Sequence, residues 1–304
     1  MGIGKYIKEI GRGKDGARDL SREQAADLFG QVLDHSVTDL EIGAFCLAMR
    51  VKGETAQEMA GFLDATYARL HTLPVAGRIA VVLPSYNGAR KLPLLTPLLA
   101  LLLAREGLPV VVHAMSTEST RVGAQQVFSA LGIFAQTALT QVTQGSVQLV
   151  PTALLCPGLA RLLEVRRVVG LRNSAHSLVK LMNPCDAPAV LVSSYTHPEY
   201  AQSMTATLQL MQSCALLLRG TEGEPVADPR RTPAMDAFVN GQSSRVQAQQ
   251  DGPLASVPDL PASDAHSTAR WTQAVLSGEQ PVPAPIASQV AHVVHLCQQM
   301  RTSA

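Results

Sequence analysis

The chain has 304 residues, of which 46% are hydrophobic, 16% charged and 4% aromatic, with a formal net charge of +1. This composition excludes a disordered chain, so Leu, Val and Ala must fill the interior, and any affinity for a polyanion has to come from local clusters of Lys and Arg. Five cysteines (Cys46, Cys156, Cys185, Cys214, Cys297) show neither a CxxC pair nor metal-ligand spacing, and the N-terminus has no signal-peptide pattern, which predicts a reducing, cytoplasmic setting.

A helix around Tyr6 to Ile10 is followed by three more, each announced by a hydroxyl at the N-cap and Glu or Gln three residues later: Ser21 with Gln24, Thr38 with Glu41, Thr55 with Glu58. Behind these caps, Ala25, Leu28, Phe29, Val32 and Leu33, then Leu40, Ala44, Leu47, Ala48 and Val51, then Met59, Leu63, Tyr67 and Leu70 recur at helical spacing. One apolar face per helix is expected. These helices predict a small helical domain, 1–74, too small for a strong independent core and so expected to pair with a second copy in a homodimer.

Residues 75–304 read as a larger α/β domain. Ile79 to Leu83 and Val110 to Val112 are short β-branched runs flanking an apolar stretch, Leu92 to Ala104, that is interrupted by Pro93 and Pro97 and too short to span a bilayer. No membrane association is expected. A helix over Gln125 to Leu131, strands at Ala189 to Val192 and Ala215 to Leu218, and a helix over Pro198 to Met211 complete a doubly wound, mostly parallel sheet. From Gly223 to Pro285 the chain is rich in Pro, Ser, Asp and Gln and reads as irregular, with a helical pattern returning only at Ile286 to Met300.

The segment Met49-Arg50-Val51-Lys52-Gly53-Glu54-Thr55, with Glu58 after it, resembles the helical junction of anthranilate phosphoribosyltransferases and pyrimidine nucleoside phosphorylases. The resemblance continues through Val81 to Arg90, His113 to Gly132, Arg166 to Pro184 and Trp271 to Glu279. It implies a small helical domain, a larger α/β domain, a cleft between them and a homodimer formed through the helical domains.

The departures carry the functional reading. Where that family has a Gly-rich loop whose amides cradle a pyrophosphate, this chain reads Pro84-Ser85-Tyr86-Asn87-Gly88-Ala89-Arg90-Lys91; one glycine remains, and loss of the cradle is expected. The family's Lys-His-Gly-Asn motif survives as Val112-His113-Ala114-Met115. In place of its Asp-Glu pair for Mg²⁺ stands Arg219-Gly220-Thr221-Glu222-Gly223-Glu224-Pro225, followed by Asp228-Pro229-Arg230-Arg231. These motifs resemble the YbiB-type, nucleic-acid-binding branch of the anthranilate phosphoribosyltransferase-like family, which implies a dimer holding single-stranded DNA or RNA, with neither cofactor nor metal and without catalysis.

The candidate phosphate contacts are Arg161, Arg166, Arg167, Arg172 and Lys180, opposed in sequence by Glu164 alone, and Arg90 and Lys91 after the altered loop, where open α/β sheets bind ligands. Arg166 matches the arginine that reaches the aromatic substrate in the enzymes. Arg230 and Arg231 lie beyond the lost metal motif, while Lys5, Lys8, Arg12, Lys14 and Arg18 give the N-terminal segment a basic bias among acids; Tyr86 and Asn87 are candidates for contact with a base. The competing readings are a solvated basic face, a transferase using an altered donor or acceptor, and a small-molecule-binding regulator. His113, without a partner in the sequence, reads as structural.

Overall fold

The computed structural model describes residues 2–13, 15–77, 79–253 and 258–302, so Lys14 lies outside the described residues. Four helices come first: α1 (Gly4–Ile10), α2 (Arg22–Leu33), α3 (Asp39–Lys52) and α4 (Ala56–Tyr67). All three capping boxes are closed, the cap side chain accepting from the third helical amide and the Gln or Glu there accepting from the cap amide. The helices meet around Phe29, Phe45 and Phe62; Phe29 and Phe62 stack at 4.6 Å and Phe45 turns its edge to both. The basic N-terminal segment is docked: Ile3, Tyr6 and Ile10 are buried, and Glu9 pairs with Arg12 and Arg18.

Helix α3 corrects the expectation of one apolar face. Its buried residues are Ile42, Phe45, Cys46 and Met49, whereas Leu40, Leu47 and Val51 are 84%, 52% and 54% exposed. Periodicity reports that a stripe exists; it does not report which of two stripes meets the core.

The sheet combines β1 (Ala80–Ser85), β2 (Val110–Ala114), β3 (Val147–Pro151), β4 (Ala189–Tyr195), β5 (Ala215–Arg219), β6 (Met235–Val239) and β7 (Gln242–Gln247) in the order β3-β2-β1-β4-β5-β6-β7. The first five strands are parallel and the last two antiparallel. Alternate residues feed two cores: Ala80, Val82, Val111 and Leu191 face one side, Val81, Leu83, Val110 and Val190 the other. On the second side lie α5 (Thr96–Arg105) and α6 (Ala124–Ala130). On the first lie α7 (Thr152–Leu155), α8 (Pro157–Val169), α9 (Ala175–Leu178) and α10 (Pro198–Leu210), continuous with the N-terminal helices. The contact of α8 with α2 is close: a Cβ on Gly158 would collide with the Leu33 carbonyl oxygen.

Residues 223–285 are not irregular throughout. Asn240-Gly241, both at positive φ, turn β6 into β7, and α11 (Ala265–Ser277) starts at Asp264, whose carboxylate accepts from Ser267 N, and ends at Gly278 with φ +87°. The fully buried residues of α11 are Thr268, Ala269, Thr272 and Val275, with Trp271 and Leu276 packed beside them. Helix α12 (Ala284–Thr302) closes the chain against α5 and the sheet. Strand β3 is likewise an addition to the expected strands. Among the described residues, no helix is long and apolar enough to cross a membrane.

Candidate nucleic-acid interface

Strand order places β2 and β3 on one side of β1 and β4 and β5 on the other, so the chain reverses direction across the sheet between β1 and β4. A crevice opens there beyond the carboxyl ends of the strands. The pairing of β1 with β4 stops at Val82 and Leu191, while that with β2 continues to Ser85. Three segments meet at this opening: the loop after β1, the loop after β2, and the 3-10 turn Thr221–Gly223 after β5.

The loop after β1 corrects the expectation of a lost cradle. Its amides do converge, and they converge on carboxylates of the same chain. Glu224 Oε1 accepts from the amides of Asn87 and Gly88, each at 2.8 Å, and Oε2 accepts from Thr96 Oγ1 at 3.0 Å and from the Ser85 hydroxyl. Glu222 accepts from the amides of Arg90 at 3.1 Å, Lys91 at 2.7 Å and Leu92 at 2.9 Å. Gly88, at φ +66°, turns the loop so that its neighbours' amides point one way. A Cβ on Gly223 would collide with Asn87 Nδ2, so the turn can approach the loop this closely only with glycine there.

These two acids are not arranged as hard-cation ligands. Glu222 and Glu224 face amide and hydroxyl donors and share no open point, and among the described residues no group of His, Cys, Asp and Glu is placed to hold a metal. Both carboxylates are thus engaged by donors of the chain itself, unlike the Asp-Glu pair that holds Mg²⁺ in the enzymes this chain resembles.

Beside the loop stands an arginine cluster. Glu118 pairs with Arg166 at 2.8 Å and Arg121 at 3.1 Å, and Arg121 reaches Glu222 at 3.4 Å and donates to the Gly88 carbonyl. Arg172 lies close enough to Arg166 and Arg121 to feel both; burial first, and then these like charges, push its pKa down. It forms no ion pair among the described residues. Arg172 also lines a cleft of about 460 Å³ with Arg50, Glu54, His176 and Tyr200. Arg121 escaped the sequence reading because it stands alone among polar residues; its one signal was its place within the His113 to Gly132 stretch.

The other sequence candidates are dispersed. Arg90 and Lys91 are exposed at the rim of the loop, with side chains that have no acidic partner among the described residues. Arg167 is exposed, pairs with Glu164 at 2.8 Å and donates to the Ser116 carbonyl. Arg161 donates to the Leu33 carbonyl, on the side of α8 that meets α2. Lys180 is buried: its Nζ donates to Ser194 O, Ser194 Oγ and Gly223 O, and burial holds its pKa down at about 8. Arg230 is paired with Asp228 and Arg231 donates to the Gln250 carbonyl, both beyond β5.

Tyr86 and Asn87 are also interior rather than available to a base. The Tyr86 hydroxyl bridges His113 Nδ1 at 2.7 Å and Thr152 Oγ1 at 2.8 Å, and Asn87 Nδ2 donates to the Glu222 carbonyl. Burial lowers the His113 pKa to about 3 and raises that of Tyr86, so both are neutral near pH 7.

Comparison with known proteins agrees with this architecture. Residues 5–69 match the family model described as "Glycosyl transferase family, helical bundle domain". The chain is 39% identical over 300 residues to protein YbiB of Escherichia coli (strain K12), covering 96% of this chain and 93% of that one. It is 30% identical over 280 residues to the anthranilate phosphoribosyltransferase of Methylorubrum extorquens (strain PA1), covering 85% and 79% respectively. The crystal structure of anthranilate phosphoribosyltransferase (TrpD) from Thermus thermophilus superposes with a TM-score of 0.70 at 21% identity, covering 95% of this chain and 85% of that one, a likeness of fold.

Proposed function

This chain belongs to the anthranilate phosphoribosyltransferase-like family, and from that premise we propose that it does not transfer phosphoribosyl groups but binds single-stranded DNA or RNA, largely without regard to sequence, as a homodimer. The observation that carries this reading is the division of donors around the loop after β1. Its inner amides are occupied by Glu222 and Glu224, whereas the Arg90 and Lys91 side chains stand exposed at its rim with no acidic partner among the described residues. Long cations at a rim suit a mobile polyanion, while a transferase needs donors inside, aimed at charge that develops in the transition state. Arg172, with no ion pair among the described residues, lines the cleft next to Arg166 and continues the cationic track there. A homodimer is favoured by the exposed Leu40, Leu47 and Val51 of α3.

The test is a titration of fluorescent single-stranded oligonucleotide at several salt concentrations, with phosphoribosyl pyrophosphate, magnesium and anthranilate assayed in parallel. Affinity should fall steeply with salt, by a slope of about 0.7 per phosphate neutralised, with little difference between sequences and no product formed. Turnover above a heat-killed control, or salt-insensitive binding, overturns the reading.

A further inference from the structure

We propose that Phe134 is a stacking platform for one base of the bound single strand, set so that the neighbouring phosphates reach Arg121 and Arg167. The proposal rests on the oligonucleotide reading and adds to it a contact that is neither a cation nor part of the loop after β1. Of the six phenylalanines in the chain, Phe29, Phe45, Phe62, Phe128 and Phe238 are fully buried, whereas Phe134 is 70% exposed. A single exposed apolar residue is ordinary in itself. What singles this one out is the frame that holds it and the charges gathered beside it.

Helix α6 ends in a Schellman turn: Gly132, at φ +79°, donates its amide to Ser129 O at 3.0 Å, and Ile133 N donates to Phe128 O at 2.9 Å. Three residues on, Gln136 N donates to Leu149 O at 2.8 Å and pins the chain to β3. Ile133 and Ala135, on either side of Phe134, pack into the core on that face of the sheet. Phe134 is thus the outward residue of a short segment fixed at both ends, and a ring presented in this way has little freedom left to lose on binding. Ala135 also lines a cavity of about 220 Å³, together with Arg121 and residues 116–118 of the loop after β2. Two more arginines grip that loop: Arg166 Nη1 donates to Thr117 Oγ1 at 3.2 Å, and Arg167 Nη2 donates to the Ser116 carbonyl at 3.1 Å. Glu118 offsets part of this charge. A strand crossing the mouth of the cavity would rest a base on Phe134 and turn its phosphates to the guanidinium groups. Every base has a π-face, so a stacking platform strengthens binding without selecting a sequence.

The experiment is fluorescence anisotropy of a single-stranded oligonucleotide across a salt series, with the full chain and with Phe134→Ala, Phe134→Leu and Phe134→Trp. The alanine variant should bind about fivefold or more weakly at every salt concentration with the salt slope unchanged, because a base contact is lost and no phosphate contact is. Tryptophan should keep the parent affinity and leucine should not, which separates stacking from simple apolar contact. In parallel, ultraviolet irradiation of the parent chain with a strand carrying 5-iodouracil should cross-link Phe134, mapped by mass spectrometry. If the parent binds with a salt-dependent affinity and Phe134→Ala binds equally well, the platform is overturned while the oligonucleotide reading stands. A parent that binds no strand overturns both. Should the variants lose the native circular dichroism spectrum, the cross-linking decides alone, and a map without Phe134 overturns the proposal.

Discussion

Arg166 Nη2 lies 2.8 Å from Glu118 Oε2, so the arginine on α8 is held by an acid from the loop after β2. The pair is partly exposed, and screening keeps its net worth to stability small. Its effect on an incoming polyanion is larger, because the acid offsets a charge that a phosphate would otherwise meet. Glu118→Gln should therefore tighten single-stranded oligonucleotide binding and steepen the salt slope by up to about 0.7 per cation released. Arg166→Ala with Arg172→Ala should flatten the slope by about one unit or more, similarly for all sequences. Fluorescence anisotropy across a salt series reads both.

Arg90 and Lys91 provide a separate test at the loop rim. Their amides hold Glu222 whatever their side chains are, so Ala at both positions should leave the loop in place and remove two exposed cations. The expected result is an unchanged melting temperature with a salt slope lower by roughly 1.4 if both cations contact phosphates. An unchanged slope would remove the rim from the nucleic-acid path.

The outward stripe of α3 makes a prediction about assembly. Leu47→Glu should convert a dimer into a folded monomer, seen by light scattering with a native circular dichroism spectrum, because Leu47 has no neighbour to leave behind in the single chain's core. A dimer that persists in L47E, and in L40E, places the interface elsewhere.

Two buried histidines make stability depend on pH on the acid side. Burial chiefly, with Arg172 and Arg166 as lesser causes, lowers the His176 pKa to about 3, and burial lowers that of His113 to about 3, against 6.5 for a free side chain. The folded state thus binds fewer protons than the unfolded one between these values. Their contribution is complete above pH 6.5 and is lost as pH falls toward 3, with a limiting slope of about 1.4 kcal/mol per pH unit for each histidine. Urea midpoints measured from pH 7.5 to 4.5 should fall accordingly, and His176→Gln should make that fall shallower while lowering stability at pH 7.5 only modestly.

The parts of the molecule governed by local rules were legible in the sequence. Three capping boxes fixed the starts of α2, α3 and α4, β-branched runs located β1 and β2, and short apolar runs located β4 and β5. Asn240-Gly241 was also a readable hairpin signal, yet β7 reads Gln-Ser-Ser-Arg-Val-Gln and offers no apolar alternation to flank it. The candidate site was less legible because its decisive contacts are non-local. Glu224 meets Gly88 across 136 positions of sequence, and nothing near either residue announces the other. A loop with a single internal glycine looks unable to cradle an anion; the amides converge all the same because Glu222 and Glu224 supply the anion they need. Lys180, grouped in sequence with four arginines, turns inward because α9 sets it beside the Ser194 and Gly223 carbonyls.

Strand β7 bears on how copies of this protein can meet. It borders the sheet with Gln242, Ser243, Ser244 and Arg245 exposed, Arg245 is paired to Asp236 of the neighbouring strand, and the register slips between Met235 and Asp236. A polar, charged and irregular border is a poor template for another strand, so this rim resists the edge-to-edge stacking that open sheets otherwise invite. At high concentration, self-association along this border should therefore stay unfavourable, for the same reason that its polar residues made the strand hard to recognise in the sequence.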